Sequence, residues 1–433
     1  MWPVLTDLDV TRMQRLNRSI PATYSIFYLN GEYHGEPCIP NYDAVAPDDD
    51  FTKVYNWVVD AIGSDGGKIA LNLEGKHYYT DALKMKHRII VEGLGPYTTI
   101  LKQADGANTN CFEWTPSGSE YFAGLRNLMI DGNRDNNTTG KAVYMTGTTR
   151  DFETYRVWIY NMPNEGYISS GTTWGHKHFG LIIEACNSNG ASITDNNAVF
   201  VGCRFADNTY NGVTGTVRRP MFLGCEFQAN GYNGLNLEGY TDAPTVDVCH
   251  AKVIGCTFEC NGSGGGAADQ DAQIRLGSKA AGCEIMGNTF DGYRAYPPSP
   301  AQITDYGIYF GVNTAVNNVI GGNHFKHHNT APVGGVGGFD FIDNNRYGIN
   351  HGFMTENSGY NTIANGTTSV VVTHGLDYTP LAEQITIIGK ENPTNSVGTI
   401  WVDTIGAASF TVNVENDPGA SDWDFGWAVR LVR

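Results

Sequence analysis

The chain has 433 residues, enough for one large domain with appendages or for two to three domains. Its 45 Asp and Glu residues exceed the 28 Lys and Arg residues, and the net charge of -17 argues against nucleic acid or an anionic membrane surface as a partner. The 53 glycines follow no Gly-X-Y period, which excludes collagen and favours a turn-rich all-β chain.

The N-terminal region divides into an arm and a capped start. Residues 1–44 show no sustained hydrophobic period and are predicted to form an arm or attachment segment. From Asp48 to Ile62, apolar residues recur at helical spacing behind three successive aspartates, which predicts a short capping helix. The segment Lys68-Ile-Ala-Leu-Asn-Leu then alternates apolar and polar residues, which predicts a half-buried strand.

An imperfect internal repeat occupies the middle of the chain. Five segments share a template of six residues with an apolar first residue, Gly at the third, Cys or Asn at the fourth and Phe at the sixth, and they begin at Phe200, Phe222, Val253, Ile285 and Ile320. A second short element follows each segment, and Asn and Gly mark the corners. Short strands that recur every 22 to 35 residues predict an all-β fold, a right-handed parallel β-helix, over residues 45–358.

Alternation within the template predicts which side chains point inward. It places Leu223, Cys225 and Phe227 on the inner face, together with the equivalent residues of the other segments. The interior would then contain a ladder of phenylalanines, and beside it a stack of cysteines that continues as asparagines. The phenylalanine ladder is Phe205, Phe227, Phe258, Phe290 and Phe325, and the second stack is Cys203, Cys225, Cys256, Asn288 and Asn323.

The last part of the chain has a different pattern. Five segments of β-forming residues follow one another at spacings of about 10 to 15 residues, separated by turn residues. We predict an antiparallel, β-sandwich-like module over residues 359–433, which serves trimerisation or carbohydrate binding.

Two parts of the chain resemble known families. Residues Asp48 to Leu101, with Gly66-Gly67 and Ile89-Ile-Val-Glu-Gly-Leu-Gly-Pro, and the later Gly124-Leu-Arg-Asn-Leu-Met-Ile-Asp-Gly-Asn resemble the pectate-lyase superfamily of β-helix proteins. The segment from Thr367 to Pro380 and the terminal Phe425-Gly-Trp-Ala-Val-Arg are similar to small β modules at the ends of phage tail proteins. Tailspikes of this kind are homotrimers that bind, and often cleave, host surface polysaccharide.

The resemblance sets the expected function, partners and location. It implies a tailspike-like protein that binds and hydrolyses a bacterial surface polysaccharide, assembles as a homotrimer and attaches to the virion through its N-terminal arm. The sequence lacks a recognisable signal peptide and any apolar run of ~20 residues, so we expect a virion or extracellular location without membrane insertion. No cofactor is expected. The motifs of polygalacturonases and pectate lyases do not occur, so pectin chemistry is not expected.

The second elements of the repeats provide the candidate catalytic residues. Aligning them places Ser192, Thr214, Asn236, Arg275 and Tyr309 in one outward column and Glu238 in the next. We predict Glu238 as a catalytic acid, Asp195 as a water-activating base two coils away, and Asp242 as a further acid in an adjoining turn. Two coils rise ~9.6 Å, which suits an inverting glycosidase and favours a hydrolase over a lyase. The predicted substrate-binding residues are Asn236, Arg275, Tyr309, Tyr240 and Arg218.

Several alternatives remain open from the sequence. The acids can be solvated corner charges, and the chain can be a binding-only adhesin, a tail fibre or a structural filament subunit. Zinc at Cys249, His250, Cys256 and Cys260 is disfavoured because the ladder already accounts for Cys256. Two histidine clusters could supply a base, but exposed turn histidines are the favoured interpretation; the clusters are His176 with His178, and His324 with His327 and His328. The net negative charge makes a neutral or mildly charged glycan the easier substrate.

Overall fold

The structure is a computed structural model of the chain. It describes residues 22–39, 42–242, 246–262, 271–294, 302–311, 317–335, 345–348, 350–352, 354, 356–390 and 393–430. They fall into two compact units that divide between Ile183 and Glu184. The described residues begin at residue 22. Residues 1–21 of the arm, to which the predicted attachment role was assigned, lie outside them.

The first unit contains the predicted helix and the first coils. The helix is Phe51–Ile62, and the Asp50 side chain accepts a hydrogen bond from the Thr52 backbone N–H at 2.8 Å, which caps its first turn. No helix in the described part of the chain is long and apolar enough to cross a membrane. The strands are Tyr24–Leu29, Glu32–Pro37, Val45–Asp48, Gly67–Asn72, Gly75–Tyr79, Leu83–Lys84, Ile89–Glu92, Thr99–Gln103, Phe112–Trp114, Ser119–Asp131, Val143–Met145, Thr148–Tyr160, Tyr167–Trp174, Lys177–Phe179 and Ile182–Glu184.

Parallel pairing between successive coils builds this unit. Gly67–Asn72 pairs in parallel with Ile89–Glu92, and Ser119–Asp131 pairs in parallel with Thr148–Tyr160. The strand Tyr24–Leu29, inside the predicted arm, forms an antiparallel hairpin with the next strand and pairs in parallel with Gly67–Asn72. The described part of the predicted arm is therefore paired with the first coil of the β-helix.

The second unit begins with the repeat coils. Their strands are Ala191–Asn196, Val199–Val201, Arg204–Ala206, Val213–Val217, Met221–Leu223, Glu226–Gln228, Leu235–Asp242, Val246–Val248, Lys252–Ile254, Thr257–Glu259, Ala272–Leu276, Glu284–Met286, Thr289–Asp291, Tyr293–Arg294, Gln302–Ile303, Tyr306–Phe310, Val319–Gly321, His324–Lys326, Ala331–Gly335 and Arg346–Tyr347. The five templates pair in register, so that Phe205 lies opposite Phe227, Phe227 opposite Phe258, and onward to Phe325.

The predicted phenylalanine ladder is confirmed. All five rings are buried, and successive ring centroids lie 5.2, 4.7, 5.0 and 4.8 Å apart in stacked geometry. A second stack, Phe200 on Phe222 at 4.9 Å, was not predicted as part of the interior. Stacked aromatic rings at these distances contribute beyond their buried area.

The predicted inward position of Leu223 is wrong. The first template residue, Phe222, is buried, whereas Leu223 points outward and is only half-buried. Gly224 explains the difference, because its φ of 57° places it in the left-handed region and turns the chain through a corner. Strict alternation therefore stops at the glycine, and Phe222 and Phe227 both point inward from different strands.

The predicted passage from a cysteine stack to an asparagine stack is confirmed. The Asn288 side-chain oxygen accepts a hydrogen bond from the Cys256 backbone N–H at 2.8 Å, and Asn323 repeats this contact with Asn288 at 2.9 Å. The Asn288 Nδ2 also donates to the Asn323 oxygen at 3.0 Å. A further buried ladder at another corner, Asn208, Asn230 and Asn261, was not predicted. These amides satisfy the buried corner N–H groups of neighbouring coils.

The C-terminal module consists of two three-stranded antiparallel sheets. Its strands are Glu356–Ile363, Ser369–Thr373, Ile385–Gly389, Ile400–Asp403, Ser409–Val414 and Trp423–Arg430, with a 3-10 turn at Ala382–Gln384. Phe410 of one sheet packs edge-on against Trp427 of the other, with centroids 5.7 Å apart. The first strand was not predicted, and it crosses the predicted boundary between residues 358 and 359.

Candidate functional site

The predicted outward column exists in the predicted register. Ser192 pairs with Thr214, Thr214 with Asn236, Asn236 with Arg275, and Arg275 with Tyr309. Apart from Gly215, which has no side chain, their neighbours on either side are buried in the core, as the period of two requires. We call these five residues the outward ladder. The Asn236 Nδ2 donates to the Thr214 hydroxyl at 3.2 Å, and the Arg275 Nη1 donates to the Asn236 oxygen at 2.9 Å.

Glu238 forms an ion pair across this ladder. Its Oε1 accepts a hydrogen bond from the Arg275 Nη1 at 2.6 Å, and its Oε2 accepts one from the Ser278 hydroxyl at 2.8 Å. The carboxylate lies directly above Gly277, where a Cβ would come within 2.0 Å of Oε1. The Glu238 and Arg275 side chains are 31% and 15% exposed. Because both carboxylate oxygens of Glu238 already accept hydrogen bonds from side chains, we interpret Glu238 as the residue that holds Arg275 in position.

Asp195 does not face the outward surface. On the strand Ala191–Asn196 it shares the inner face with Ala191 and Ile193, and the whole residue is 1% exposed. The sequence alignment placed it after its strand, whereas the strand continues through Asn196 and the alternation turns Asp195 inward. This position does not suit a base that activates water beside an outward Glu238.

The remaining predicted site residues lie in different environments. The backbones of Tyr240 and Asp242 extend the strand into an antiparallel hairpin with Val246–Val248, and their side chains lie outside the described residues. Arg218 is half-buried and directly follows the strand Val213–Val217, and its backbone forms an isolated parallel β-bridge with that of Asn196. Tyr309 is in the outward ladder but largely buried, and its ring centroid lies 4.9 Å from that of Tyr306.

A second line of side chains runs along the adjacent corner of the coils. One column of buried strand residues is paired across four successive coils: Val213, Leu235, Ile274 and Ile308. The residues three positions before them are, in the same order, Tyr210, Tyr232, Asp271 and Asp305. We call these four residues the corner row. The two tyrosine rings stack with centroids 4.9 Å apart, and Tyr210 is exposed. The corner row therefore joins an aromatic pair to a carboxylate pair.

The two aspartates of the corner row differ in their surroundings. The Asp305 backbone N–H donates to Asp271 Oδ1 at 3.1 Å, and the Asn329 side chain donates to Asp305 Oδ1 at 2.8 Å. Burial raises the pKa of Asp271 to about 6, the hydrogen bond from Asp305 opposes this, and the Asp305 charge adds to it. A carboxyl that titrates near neutrality beside a second carboxyl is a typical acid–base arrangement.

The sequence missed this pair for an identifiable reason. Residues 263–270, which lie outside the described part, separate Asp271 from Gly262, whereas Tyr232 follows Gly231 directly. The glycines are equivalent, since the N–H of each bonds to the corner asparagine of the preceding coil. The insertion hid the equivalence of Asp271 and Tyr232, which an alignment on the following strand reveals.

The prediction of exposed histidines holds for His324 and His327 but is wrong for His176 and His178. His176 and His178 are both fully buried, and His176 Nδ1 lies 2.8 Å from the Tyr167 hydroxyl. Burial lowers the pKa of His176 to about 3, so this side chain is neutral near pH 7. Within the described residues, no three His, Cys, Asp or Glu side chains form a group that could hold a metal ion.

Comparison with solved structures identifies the fold. Over 95% of this chain and 80% of the other, the structure resembles ORF18 of Geobacillus virus E2, with a TM-score of 0.56 and 17% identity. It resembles the A-module of the mannuronan C-5 epimerase AlgE4 of Azotobacter vinelandii over 70% of this chain and 91% of that module, with a TM-score of 0.51 and 13% identity. The chain is a right-handed parallel β-helix protein.

A third solved structure resembles this β-helix protein less closely. The Dettilon tailspike protein gp208 has a TM-score of 0.48 and 14% identity, over 88% of this chain and 91% of that protein. No family model matches the chain, and no curated protein sequence matches it significantly.

Proposed function

We propose that this β-helix protein is a tailspike-like virion or surface protein that binds a bacterial polysaccharide along the coils of its second unit and hydrolyses it. The observation that carries the proposal is the corner row, where two stacked tyrosines adjoin two aspartates on the next coils. The solved structures with the same fold include a viral protein and an enzyme named for the polysaccharide mannuronan, which is consistent with this proposal.

Binding is assigned to the corner row and the outward ladder together. Tyr210 and Tyr232 offer aromatic surface to sugar rings, and Asn236 and Arg275 offer polar groups to hydroxyls or carboxylates. The ladder lies four residues along the strand from the corner row, at most ~13 Å at ~3.3 Å per residue. One extended glycan can therefore contact both lines.

Hydrolysis is assigned to Asp271 and Asp305 in place of Glu238 and Asp195. Asp271 protonates the glycosidic oxygen while the Asp305 carboxylate bonds to the anomeric carbon and the glycosidic bond breaks. Asp271, now ionised, takes a proton from water, and the water oxygen displaces Asp305 from the anomeric carbon. The aspartates are on neighbouring coils, whose backbones lie ~4.8 Å apart, and carboxyls at that spacing match the ~5 Å of retaining glycosidases better than the ~6.5 to 9.5 Å of inverting ones. The proposal thus replaces inversion with retention.

Three variants test the proposal on a panel of bacterial surface polysaccharides. Asp271→Asn should lose ~100 to 10,000-fold in the release of reducing ends, with glycan binding retained. Glu238→Gln should mainly weaken binding, because it releases Arg275. The control Asp291→Asn removes the aspartate that ends the strand Thr289–Asp291 and contacts Tyr293 and His327, and it should cleave at the wild-type rate. Unchanged cleavage by Asp271→Asn would refute the assignment, and binding without cleavage by the unmodified protein would favour the adhesin alternative.

We also propose a homotrimer, which an outward apolar column supports. Leu223, Ile254 and Met286 are paired in register on successive coils, point outward and are half-buried. Beside them the corner glycines Gly224 and Gly255 have open space where a Cβ would be. The charges nearby are neutralised within the chain, as Lys252 with Glu284 at 3.1 Å shows. Copies that each carry -17 would repel one another least along such an uncharged column.

A further inference from the structure

The first unit carries an arginine between two aromatic rings. Tyr121, Arg150 and Trp174 lie opposite one another on three successive strands. The Arg150 guanidinium carbon is 5.3 Å from the Tyr121 ring centroid and 5.7 Å from that of Trp174. Both rings are partly open to solvent, at 38% and 39% exposure. These contacts are cation–π interactions that hold the guanidinium in one place.

Arg150 has no anionic partner in the described chain. Its Nε is buried without a hydrogen bond, and the adjacent Asp151 pairs instead with Lys177 at 3.8 Å. The Nε atoms of Arg126 and Arg275 are also buried without a hydrogen bond, but each of these arginines has an anionic partner. Arg126 pairs with Glu153 at 2.8 Å and Arg275 with Glu238 at 2.6 Å. An unpaired, partly desolvated arginine is unexpected in a chain with 45 carboxylates, and it leaves guanidinium donors available to a ligand.

The chemistry of the three side chains defines the ligand. A guanidinium recognises a carboxylate or phosphate through two parallel hydrogen bonds. The exposed parts of Tyr121 and Trp174 can contact the apolar face of a sugar on either side of that anion. We propose that Tyr121, Arg150 and Trp174 form a binding site for an acidic saccharide, in which Arg150 binds the oxyanion and the two rings contact the sugars.

This site revises the expectation of a neutral glycan. The net charge of -17 opposes an acidic polymer at long range, but screening beyond ~8 Å at physiological ionic strength leaves the local contact with Arg150 dominant. The site belongs to the first unit and does not depend on Asp271. Failure of this proposal is therefore distinguishable from failure of the proposed hydrolysis.

Calorimetric titration of the full chain tests the site with defined probes. These are tetragalacturonate, the same tetrasaccharide with its carboxyls reduced, and inorganic phosphate. We expect tetragalacturonate to bind at least tenfold more tightly than the reduced form, and Arg150→Gln to remove that difference. Trp174→Ala should weaken the binding of both saccharides. Arg156→Gln is the matched control, because Arg156 is an exposed arginine on the same strand as Arg150 and lies outside the proposed site, and its affinity should stay within twofold.

Each other outcome overturns the proposal. Equal affinity for the two tetrasaccharides, an unchanged Arg150→Gln protein, or no binding of tetragalacturonate at millimolar concentration would refute the acidic-saccharide site. If the protein bound phosphate but neither tetrasaccharide, and Arg150→Gln abolished that binding, the ligand of Arg150 would be a phosphate group and not a sugar carboxylate. Arg150→Lys keeps the positive charge and lacks the planar fork, so it should lose affinity while circular dichroism shows an intact fold.

Discussion

The Asp271 carboxyl couples the proposed chemistry to the pH dependence of stability. Its pKa is raised to about 6 in the folded chain and is near 4 when unfolded, so between these values the folded state holds the extra proton. This group therefore favours folding below pH 4, and the contribution is lost as the pH rises through 6. Asp271→Asn removes this loss, so the change in unfolding free energy from pH 5 to pH 7, measured by urea denaturation, should be more positive for Asp271→Asn than for the unmodified protein. An identical pH dependence would contradict the raised pKa.

At the scale of the element, the phenylalanine ladder is expected to dominate the stability of the repeat coils. Phe258 is stacked between Phe227 at 4.7 Å and Phe290 at 5.0 Å, so Phe258→Ala opens a cavity in the column. We expect a loss of about 3 to 5 kcal/mol in the free energy of unfolding, measured by urea denaturation. Phe258→Leu should cost less because it fills part of the space. The exposed Phe122→Ala is the control, expected within ~0.5 kcal/mol, and a similar effect there would contradict the ladder's role.

Two glycines of the coils are constrained for different reasons. Gly224 has a φ of 57° and open space where a Cβ would be, so Gly224→Ala should cost only ~1 to 2 kcal/mol of left-handed strain. At Gly215 a Cβ would come within 1.9 Å of the Ile193 carbonyl oxygen of the neighbouring coil, so Gly215→Ala should cost more than Gly224→Ala. Thermal denaturation of the two variants measures the difference. The reverse order would show that close coil packing does not limit this strand.

At the scale of the whole molecule, the proposed trimer predicts a mass of about three times 47.1 kDa in light scattering. Leu223→Glu places a charge in the outward apolar column, and it should shift the mass toward the monomer because burying an unpaired charge is costly. Thr257→Glu is the control, since Thr257 points outward on a neighbouring strand and is already exposed. A monomer mass for the unmodified protein would contradict the trimer.

The repeat template was sufficient to predict the coils and much of their interior. A side chain that recurs once per coil stacks on its counterpart, so Phe205 to Phe325 form a column wherever the template pairs in register. The same reasoning predicted the outward ladder, in which Asn236 and Arg275 are neighbours across coils. Periodicity therefore determined which residues of different coils meet.

Periodicity could not determine directions across corners or the surroundings of single polar groups. The left-handed Gly224 reversed the face of Leu223, and the insertion before Asp271 hid its equivalence to Tyr232. The continuation of the strand Ala191–Asn196 turned Asp195 inward. The burial of His176 and the contact of Arg275 with Glu238 depend on coils distant in sequence. By itself the sequence determined the β-helix and its stacked columns, because these follow from local period. Only the tertiary structure decided which carboxyl is desolvated and which arginine lies between two aromatic rings, because both depend on atoms that other coils bring together.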